Sequence, residues 1–256
     1  MADKIKEKAL IESIDCLAPG IYSIRFKTKI ARLAKAGQFI AVYSNDKSRM
    51  LPRPISLCEI DKDNEIIRIV FRIAGAGTEE FSKAKAGDYF DIMGPLGNGF
   101  PEVKGKVTVI GGGIGIPPML EAAKSLKGCE VNAVLGYRDN SEFLKEDFIN
   151  FSKVYIATED GSDGVKGNVL NAMDEYKIDT DYIFACGPTP MLRAIKEYAA
   201  SHNIKCYISL EERMGCGIGA CLACVCKTKD IDSHSNVNNT RICKEGPVFP
   251  AEEVEI

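Results

Sequence analysis

Four cysteines in the last quarter of the chain place the strongest constraint on what it can fold around. Cys216, Cys221 and Cys224 follow the spacing C-x4-C-x2-C, and Cys243 comes after 18 further residues. This is the ligand order of plant-type two-iron clusters, in which four thiolates hold two iron ions. The spacing therefore predicts a [2Fe-2S] cluster with these four ligands.

Three glycines lie among the first ligands, at Gly215, Gly217 and Gly219. Glycine adopts positive φ without steric cost, so successive N–H groups can turn toward the sulfur atoms and offset their negative charge. Cys226 stands two residues after Cys224, and on a strand it would point the same way. We interpret Cys226 as a bystander rather than a ligand.

Two other kinds of metal site, a structural zinc site and a Rieske centre, agree less well with the ligand spacing. A structural zinc site with four cysteines usually pairs two C-x2-C knuckles, whereas here only Cys221 and Cys224 form such a pair. A Rieske centre needs two histidine ligands, and neither His202 nor His234 lies two residues after a cysteine. The spacing favours the all-cysteine two-iron cluster.

Composition argues against nucleic-acid-binding, membrane-spanning and secreted proteins. The 256 residues suit two or three compact units, and 33 basic against 36 acidic residues without a dense basic run give no support to nucleic-acid binding. No apolar stretch reaches the roughly 18 residues of a membrane span. The first residues are charged rather than apolar as in a secretory signal. We therefore expect a cytoplasmic protein, off the membrane, whose ten cysteines serve a metal or redox role instead of forming disulfides.

The pattern of strands and helices divides the chain into three parts. Short strands at 9–14, 20–27, 39–44, 55–60, 66–73 and 89–93, the fourth and fifth forming a hairpin, predict an antiparallel β barrel over residues 1–102. Strands at 107–110, 131–136, 154–158 and 182–185 alternate with helices at 117–126, 169–176 and 190–201. This alternation predicts a doubly wound α/β domain with a parallel sheet over residues 103–208. Residues 209–256, with little helical periodicity, form a small iron-sulfur segment that a metal holds together.

A glycine turn between the first α/β strand and its helix is typical of a nucleotide site. Gly111, Gly113 and Gly115 would let the backbone approach a pyrophosphate, with the helix N-terminus facing the anion. A tight turn without a ligand is the alternative. Cys186 ends a later strand, where its thiol either borders a nicotinamide ring or is a small buried side chain. Arg138 and Asp139 both follow the second strand, so residue chemistry leaves NAD versus NADP open.

The barrel carries two further segments of interest. Arg53 at a strand start can pair with a phosphate, and Thr78 can cap a short helix at 79–85 whose N–H groups face a second phosphate. Glu79 and Glu80 are unfavourable neighbours for such an anion. Without further context, both segments are typical of ordinary barrel turns.

Together, five motifs spread over nearly the whole chain resemble the ferredoxin-NADP reductase superfamily. They are Arg-Pro-Ile-Ser at 53–56, Gly-x-Gly-Thr at 75–78, Gly-Pro-Leu-Gly-Asn-Gly-Phe at 94–100, Gly-x-Gly-x-Gly-x-x-Pro at 111–118 and Cys-Gly-Pro at 186–188. The stretch 209–224, with Cys243 and Gly-Pro-Val-Phe at 246–249, is similar to the electron-transfer subunits of type B dihydroorotate dehydrogenase. A sister group, the small subunit of NADH-dependent ferredoxin:NADP oxidoreductase, typically has Asp where this chain has Cys216.

The resemblance implies FAD on the barrel, NAD(H) over the wound sheet and a cluster linking FAD to the FMN of a separate catalytic subunit, in an assembly of two of each chain. It places the following residues at the flavin and its phosphates: Arg53, Pro54, Ile55, Ser56, Gly75, Gly77 and Thr78. Since nicotinamide exchanges a hydride and a cluster single electrons, a flavin must lie between them. The implied function is to pass electrons from dihydroorotate, by way of that FMN, to NAD in pyrimidine biosynthesis, with no catalytic acid or base in this chain.

Two other functions stay open at this point. One is a flavin and two-iron subunit of a related ferredoxin or sulfide NAD(P) oxidoreductase, which a different copurifying partner would reveal. The other belongs to a different class, a zinc-stabilised nucleotide-binding regulator without turnover, for which a colourless preparation holding one zinc would be the evidence.

Overall fold

Six strands close into an antiparallel barrel in the computed structural model, which describes residues 4–229, 231 and 236–256. They are β1 (Ile5–Ala18), β2 (Ile21–Lys27), β3 (Phe39–Val42), β4 (Arg53–Asp61), β5 (Ile66–Arg72) and β6 (Tyr89–Leu96). Around the barrel the order is β1-β2-β5-β4-β3-β6. The predicted barrel is confirmed, as is the β4–β5 hairpin. Strand β1 is longer than predicted because it pairs with β6 in its first half and with β2 in its second.

Two short helices accompany the barrel, α1 (Ile30–Leu33) and α2 (Ala76–Ser82). Helix α2 begins three residues before the predicted start at 79, because Gly75 takes the N-cap position. Phe81 of α2 is fully buried and packs edge-on against Phe71 and Phe90. This contact fixes the helix across the barrel core next to β5.

A seven-stranded sheet forms the second part, in the order β10-β9-β8-β7-β11-β12-β15. Its strands are β7 (Lys106–Gly112), β8 (Glu130–Tyr137), β9 (Lys153–Thr158), β10 (Val165–Lys166), β11 (Tyr182–Cys186), β12 (Lys205–Ser209) and β15 (Val248–Pro250). All neighbours run parallel except β15, which pairs antiparallel with β12. Strand order reverses between β7 and β11, which creates the crevice where such sheets bind ligands.

Helices cover both faces of this sheet, which confirms the doubly wound prediction. They are α3 (Ile116–Ser125), α4 (Lys145–Phe148), α5 (Val169–Glu175) and α6 (Thr189–Ser201). Apolar residues of α3 and α4 share one core cluster, and those of α5 and α6 share the other. The sequence pattern missed α4, β10, β12 and β15, which are short or lack a clear period.

The C-terminal part adds a small sheet in the order β14-β13-β16, from β13 (Val225–Thr228), β14 (Asn239–Arg241) and β16 (Val254–Glu255). Met214, Ile242 and Val254 belong to the same apolar core as α5 and α6. Hydrophobic packing therefore supports this segment in addition to any metal. No helix among the described residues has the length and apolar character to cross a membrane.

Candidate functional site

The four predicted cluster ligands meet as two pairs of side chains. Cys216 and Cys221 are within hydrogen-bonding reach of each other, and so are Cys224 and Cys243. Cys243 also feels the charge of Cys216, so the two pairs are neighbours. A two-iron cluster takes two thiolates on each iron, and this arrangement fits it.

Backbone N–H groups converge on these sulfur atoms. Ala220 N–H donates to Cys216 Sγ at 3.2 Å, and Gly219 N–H donates to Cys243 Sγ at 3.1 Å. Partial burial raises the pKa of the Cys216 thiol, but hydrogen bonds from the backbone outweigh it and lower the pKa to about 6. Burial and the adjacent Cys224 raise the pKa of Cys243 to about 12. The loop is thus organised to hold sulfur as thiolate at Cys216, and metal binding must release a proton at Cys243.

The three glycines of this loop serve different purposes. Gly217 and Gly219 have φ of 69° and 83°, the left-handed region that was predicted for them. Gly215 is not in that region; instead, a Cβ there would come within 3.1 Å of Cys221 Sγ. Gly215 therefore keeps space open beside a ligand sulfur, and the prediction of positive φ was wrong for it.

The alternative metal sites find no support in the geometry. Among the described residues, no three His, Cys, Asp or Glu side chains group around a single ion, whereas a zinc ribbon needs four. His202 follows the last residue of α6 and stacks against Tyr198, and His234 is outside the described residues. Cys226 is half-buried on β13, where burial first and the charge of Cys224 second raise its pKa to about 11.

The predicted flavin segment is the start of β4, and its side chains alternate. Ile55 points into the barrel core and is 8% exposed, whereas Pro54 and Ser56 are half-buried on the outer side. Since successive strand residues face opposite sides, Ile55 can offer a flavin only its backbone. Side-chain contacts of β4 with a flavin must therefore come from Pro54 and Ser56, the residues on either side of Ile55.

Arg53 reaches across to the N-terminal turn of α2. Its guanidinium lies so close to Gly77 that a Cβ on that residue would overlap it. Gly77 is buried, and only glycine leaves the room that Arg53 occupies. A cationic fork beside free N–H groups of a helix start suits a phosphate, so these residues fit the flavin diphosphate.

Thr78 has a different role from the predicted cap. It is the third helical residue, and its hydroxyl accepts hydrogen bonds from the N–H groups of Ala74 and Gly75 at 2.8 and 3.2 Å. The carboxylates that were expected to repel an anion are engaged elsewhere: Glu79 pairs with Lys83, and Glu80 binds Ser44, Asn45 and Arg49. Thr78 therefore shapes the turn before α2.

Protein packing alone accounts for two glycines of the predicted nucleotide turn. A Cβ on Gly115 would overlap the carbonyl oxygen of Cys186, and one on Gly111 would come within 2.7 Å of Ile116 Cα. Gly111 and Cys186 are partners across β7 and β11, directly at the point where strand order reverses. These glycines let α3 start close against the sheet.

Gly113 is the member of the turn that faces the crevice. It has a φ of 53°, and a Cβ added to it would come within 3.4 Å of the guanidinium of Arg72. Helix α3 has prolines at 117 and 118, which lack N–H groups, so in the predicted nucleotide site the donors to a pyrophosphate would come mainly from the glycine turn itself. Cys186 is fully buried, and burial raises the pKa of its thiol.

Two charged residues of the crevice escaped the sequence interpretation. Glu211 follows β12 by two residues; it keeps solvent contact, yet the protein packed around its carboxyl group raises its pKa, and Arg72 opposes that shift. Arg72 ends β5 of the barrel. The only available signal was their position at strand ends, which are the edge of a sheet where ligands bind.

The motif at 94–100 connects the barrel to the cysteine segment. Asn98 donates through its backbone N–H to Gly246 O at 2.6 Å and through Nδ2 to Glu245 O at 2.7 Å. Gly217 packs on the end of β6, where an added Cβ would come within 3.3 Å of Leu96. Asn98 belongs to a motif noted in the sequence, but its partner Glu245 lies 147 residues away and could not be identified from that motif.

Strand register then relates the cysteine loop to the flavin segment. Phe39 of β3 is paired with Ser56 on one side and with Leu96 on the other. Two strand spacings of about 4.8 Å separate Ser56 from Leu96. The end of β6 on which the cysteine loop packs is therefore only about 10 Å from the predicted flavin strand, measured across the sheet.

Comparison with known proteins identifies the family. Residues 211–255 match the model described as the iron-sulfur cluster binding domain of dihydroorotate dehydrogenase B. Electron transfer subunits of dihydroorotate dehydrogenase B (NAD(+)) from Geobacillus sp. (strain WCH70) and Streptococcus mutans are 40% and 39% identical to this chain. The first match covers 93% of this chain and 94% of the relative, and the second covers 98% of each.

Solved structures agree on the fold. The NADH-dependent reduced ferredoxin-NADP oxidoreductase structure superposes with a TM-score of 0.87 at 28% identity, covering 96% of this chain and 89% of the other. A ferredoxin NADP+ reductase from Neisseria gonorrhoeae, at 15% identity over 81% of this chain and 94% of the other, shares the fold with a TM-score of 0.64. From the ligand geometry and these full-length relatives, the chain belongs to the family of electron-transfer subunits of dihydroorotate dehydrogenase B.

Proposed function

We propose that this chain is the electron-transfer subunit of an NAD-dependent dihydroorotate dehydrogenase and links a catalytic partner to NAD in pyrimidine biosynthesis. When bound, FAD supplies the exchange between the single electrons of a [2Fe-2S] cluster and the hydride of a nicotinamide. The observation that carries the proposal is the packing of the cysteine loop on Leu96, two strands away from Ser56. This brings a one-electron site within electron-transfer range of a flavin strand.

The cluster is held by Cys216, Cys221, Cys224 and Cys243. The N–H groups of Gly219 and Ala220 offset the negative charge that four thiolates bring to the loop. Packing of Cys224 and Cys243 in the apolar core shields their side of the cluster from water. Cys221 lies on the exposed side.

The flavin is bound along β4 and at the start of α2. Pro54, Ser56 and the backbone of Ile55 would hold its ring, and Arg53 would pair with its diphosphate together with the N–H groups of Gly77 and Thr78. Gly75 precedes α2, and among the described residues no atom lies within 4 Å of a Cβ built on it, so its proposed contribution to the flavin site comes from its backbone. These residues orient the flavin and exclude water from one of its faces.

The nicotinamide nucleotide enters the crevice between β7 and β11. Gly113 offers its N–H to the pyrophosphate, while Gly111 and Gly115 allow the close packing that shapes the turn. The backbone of Cys186 supports the floor of the site. Hydride transfer depends on ring placement, so no residue of this chain acts as a general acid or base.

The catalytic partner carries FMN, and the assembly contains two copies of each chain. We place this chain in the cytoplasm. The proposal is supported by its ten cysteines, none of which forms a disulfide. The barrel, the α/β domain and the cluster segment correspond to residues 1–102, 103–208 and 209–256.

A second function has one observation in its favour. The TM-score of 0.87 to a ferredoxin-NADP oxidoreductase structure suits a subunit that serves a different electron partner. Copurification separates the two functions: a dihydroorotate-oxidising chain is expected to accompany this protein, and an associated ferredoxin or sulfide oxidoreductase chain would instead favour the second.

An absorbance spectrum with iron and flavin analysis tests the proposal most directly. We expect a brown-yellow protein with two irons and one FAD per chain. Cys224→Ser should abolish the visible absorbance of the cluster, whereas the matched control Cys226→Ser should retain it. A colourless protein after anaerobic reconstitution, or the reverse behaviour of the two variants, would contradict the proposal.

A further inference from the structure

Arg241 bridges the two halves of the cysteine site. It ends β14, two residues before Cys243, and its Nη1 donates to the carbonyl oxygen of Gly219 at 3.0 Å. Gly219 lies between Cys216 and Cys221 in the sequence. One side chain thus connects the loop that carries the first ligand pair to the turn that carries the last ligand.

Glu245 fixes the direction of this guanidinium. Its carboxylate accepts from Arg241 Nε at 3.0 Å and pairs with Nη2 in a two-pronged contact, and it also accepts from the Arg241 backbone N–H at 3.1 Å. Such bidentate pairs hold both orientation and distance. The side chain of Arg241 is 26% exposed, so water screens it only in part.

The contact with Gly219 acts on a ligand sulfur through one peptide group. The carbonyl of Gly219 and the N–H of Ala220 belong to the same planar unit and point in opposite directions. That N–H donates to Cys216 Sγ at 3.2 Å. Holding the carbonyl therefore aims the N–H at the sulfur, and a cation on the carbonyl polarises the peptide and strengthens that hydrogen bond.

We propose that Arg241 is a positioning residue that aims the Ala220 N–H at Cys216 and thereby raises the reduction potential of the cluster. The inference rests on the proposed binding of a [2Fe-2S] cluster by the four cysteines. Hydrogen bonds to cluster sulfur favour the reduced form, which carries one more electron and one more negative charge. Arg241 thus tunes how readily the site accepts a single electron.

Lys244 provides a matched control. Its Nζ lies 3.8 Å from the same Glu245 carboxylate, and its side chain packs against Gly219, where a Cβ would come within 2.7 Å of Lys244 Cδ. Lys244→Met therefore removes the same formal charge from the same neighbourhood. It leaves the Arg241 hydrogen bond to the Gly219 carbonyl in place.

The test is an EPR-monitored reductive titration of the full-length chain loaded with flavin and cluster, using dithionite as the electron donor. Arg241→Met should lower the equilibrium constant for one-electron reduction about tenfold, a midpoint about 59 mV more negative. Lys244→Met should lower it about threefold or less, since exposed charges are screened. Equal shifts in the two variants, or none in Arg241→Met, would overturn the inference.

A second readout covers the case in which Arg241→Met does not retain its cluster. Arg241→Lys keeps a cation but cannot hold the Gly219 carbonyl and both oxygens of Glu245 from one fork. Pulsed EPR in H₂O and D₂O should show a weaker exchangeable-proton coupling at the cluster in Arg241→Lys than in the wild type. Unchanged coupling would overturn the inference, and a wild-type chain without any two-iron signal would remove the basis of the proposed function as well.

Discussion

Gly77 and Gly75 stand two positions apart in one motif, yet their surroundings differ completely. A Cβ on Gly77 would overlap the Arg53 guanidinium, whereas one on Gly75 would meet no atom of the described residues within 4 Å. Gly75 also has an extended backbone with φ of 168°, which any residue adopts. Glycine is required at position 77 because of one neighbouring side chain, that of Arg53, and not because of the backbone angle.

This contrast gives a paired prediction for flavin binding. Gly77→Ala should displace Arg53 and weaken FAD affinity by about tenfold, near 1.4 kcal/mol, because the phosphate partner is moved. Gly75→Ala should keep wild-type affinity. Fluorescence titration of the deflavinated chain with FAD measures both, and similar affinities in the two variants would rule out the proposed role of Arg53 and Gly77.

At the scale of elements, a charged contact joins the barrel to the wound sheet through β4 and α3. Glu59 of β4 accepts from Arg25 and Arg68 within the barrel and from Lys124 of α3, at 2.8 to 3.0 Å. Burial raises the pKa of Glu59, but these hydrogen bonds outweigh burial and lower it. Such a network fixes two elements relative to each other more than it stabilises either one.

Glu121 of α3 forms the neighbouring contact and makes stability depend on pH. Its carboxylate accepts from the Ile60 N–H at 2.8 Å, but burial dominates and raises its pKa from 4.5 to about 7. As pH rises from 4.5 to 7, the unfolded chain releases this proton before the folded one. The free energy of unfolding should therefore fall over this window, by on the order of 3 kcal/mol.

Glu121→Gln should remove this dependence, since the amide oxygen can still accept from Ile60 and cannot ionise. Urea unfolding at pH 5 and pH 7.5 measures the effect. The free energy of unfolding of the variant, relative to that of the wild type, should be higher at pH 7.5 than at pH 5. The exposed Glu102→Gln serves as control and should track the wild type. Parallel pH curves for Glu121→Gln and the wild type would contradict the buried-carboxyl interpretation.

For the whole molecule, Pro247 marks where the three parts meet. Asn98 of the barrel forms a bridge to Pro247, and the Pro247 carbonyl accepts from the Leu210 N–H at 2.9 Å beside the wound sheet. Pro247, which makes both contacts, is only four residues after Cys243 in the sequence. The cysteine segment therefore packs against both the barrel and the wound sheet.

This arrangement predicts a division of labour between the subunits. The isolated chain should reduce an artificial acceptor such as ferricyanide with NADH, because the proposed flavin and nicotinamide sites are both formed by residues of this chain. It should not oxidise dihydroorotate without the catalytic partner. Acceptor reduction and dihydroorotate consumption, followed with and without that partner, check both statements; dihydroorotate turnover by the isolated chain would defeat the proposal.

Local patterns in the sequence were sufficient for the fold class, and the proposed metal ligands rest on a local pattern as well. Alternating strands predicted the barrel, strand–helix alternation predicted the wound sheet, and the spacing of Cys216, Cys221 and Cys224 predicted a shared site. These features repeat over a few residues, so they remain visible in a linear chain. The same reasoning misplaced the α2 start and the backbone of Gly215, where one neighbouring atom decides.

Tertiary structure alone decided which distant residues complete each site. Arg241 meets Gly219 across 22 residues, Glu121 meets Ile60 across 61, and Asn98 meets Glu245 across 147. Contacts of this kind leave no periodic trace, because they depend on how three separately patterned segments pack together. The sequence by itself determined which chemistry the chain can hold, whereas packing determined how close its parts lie and which side chains tune them.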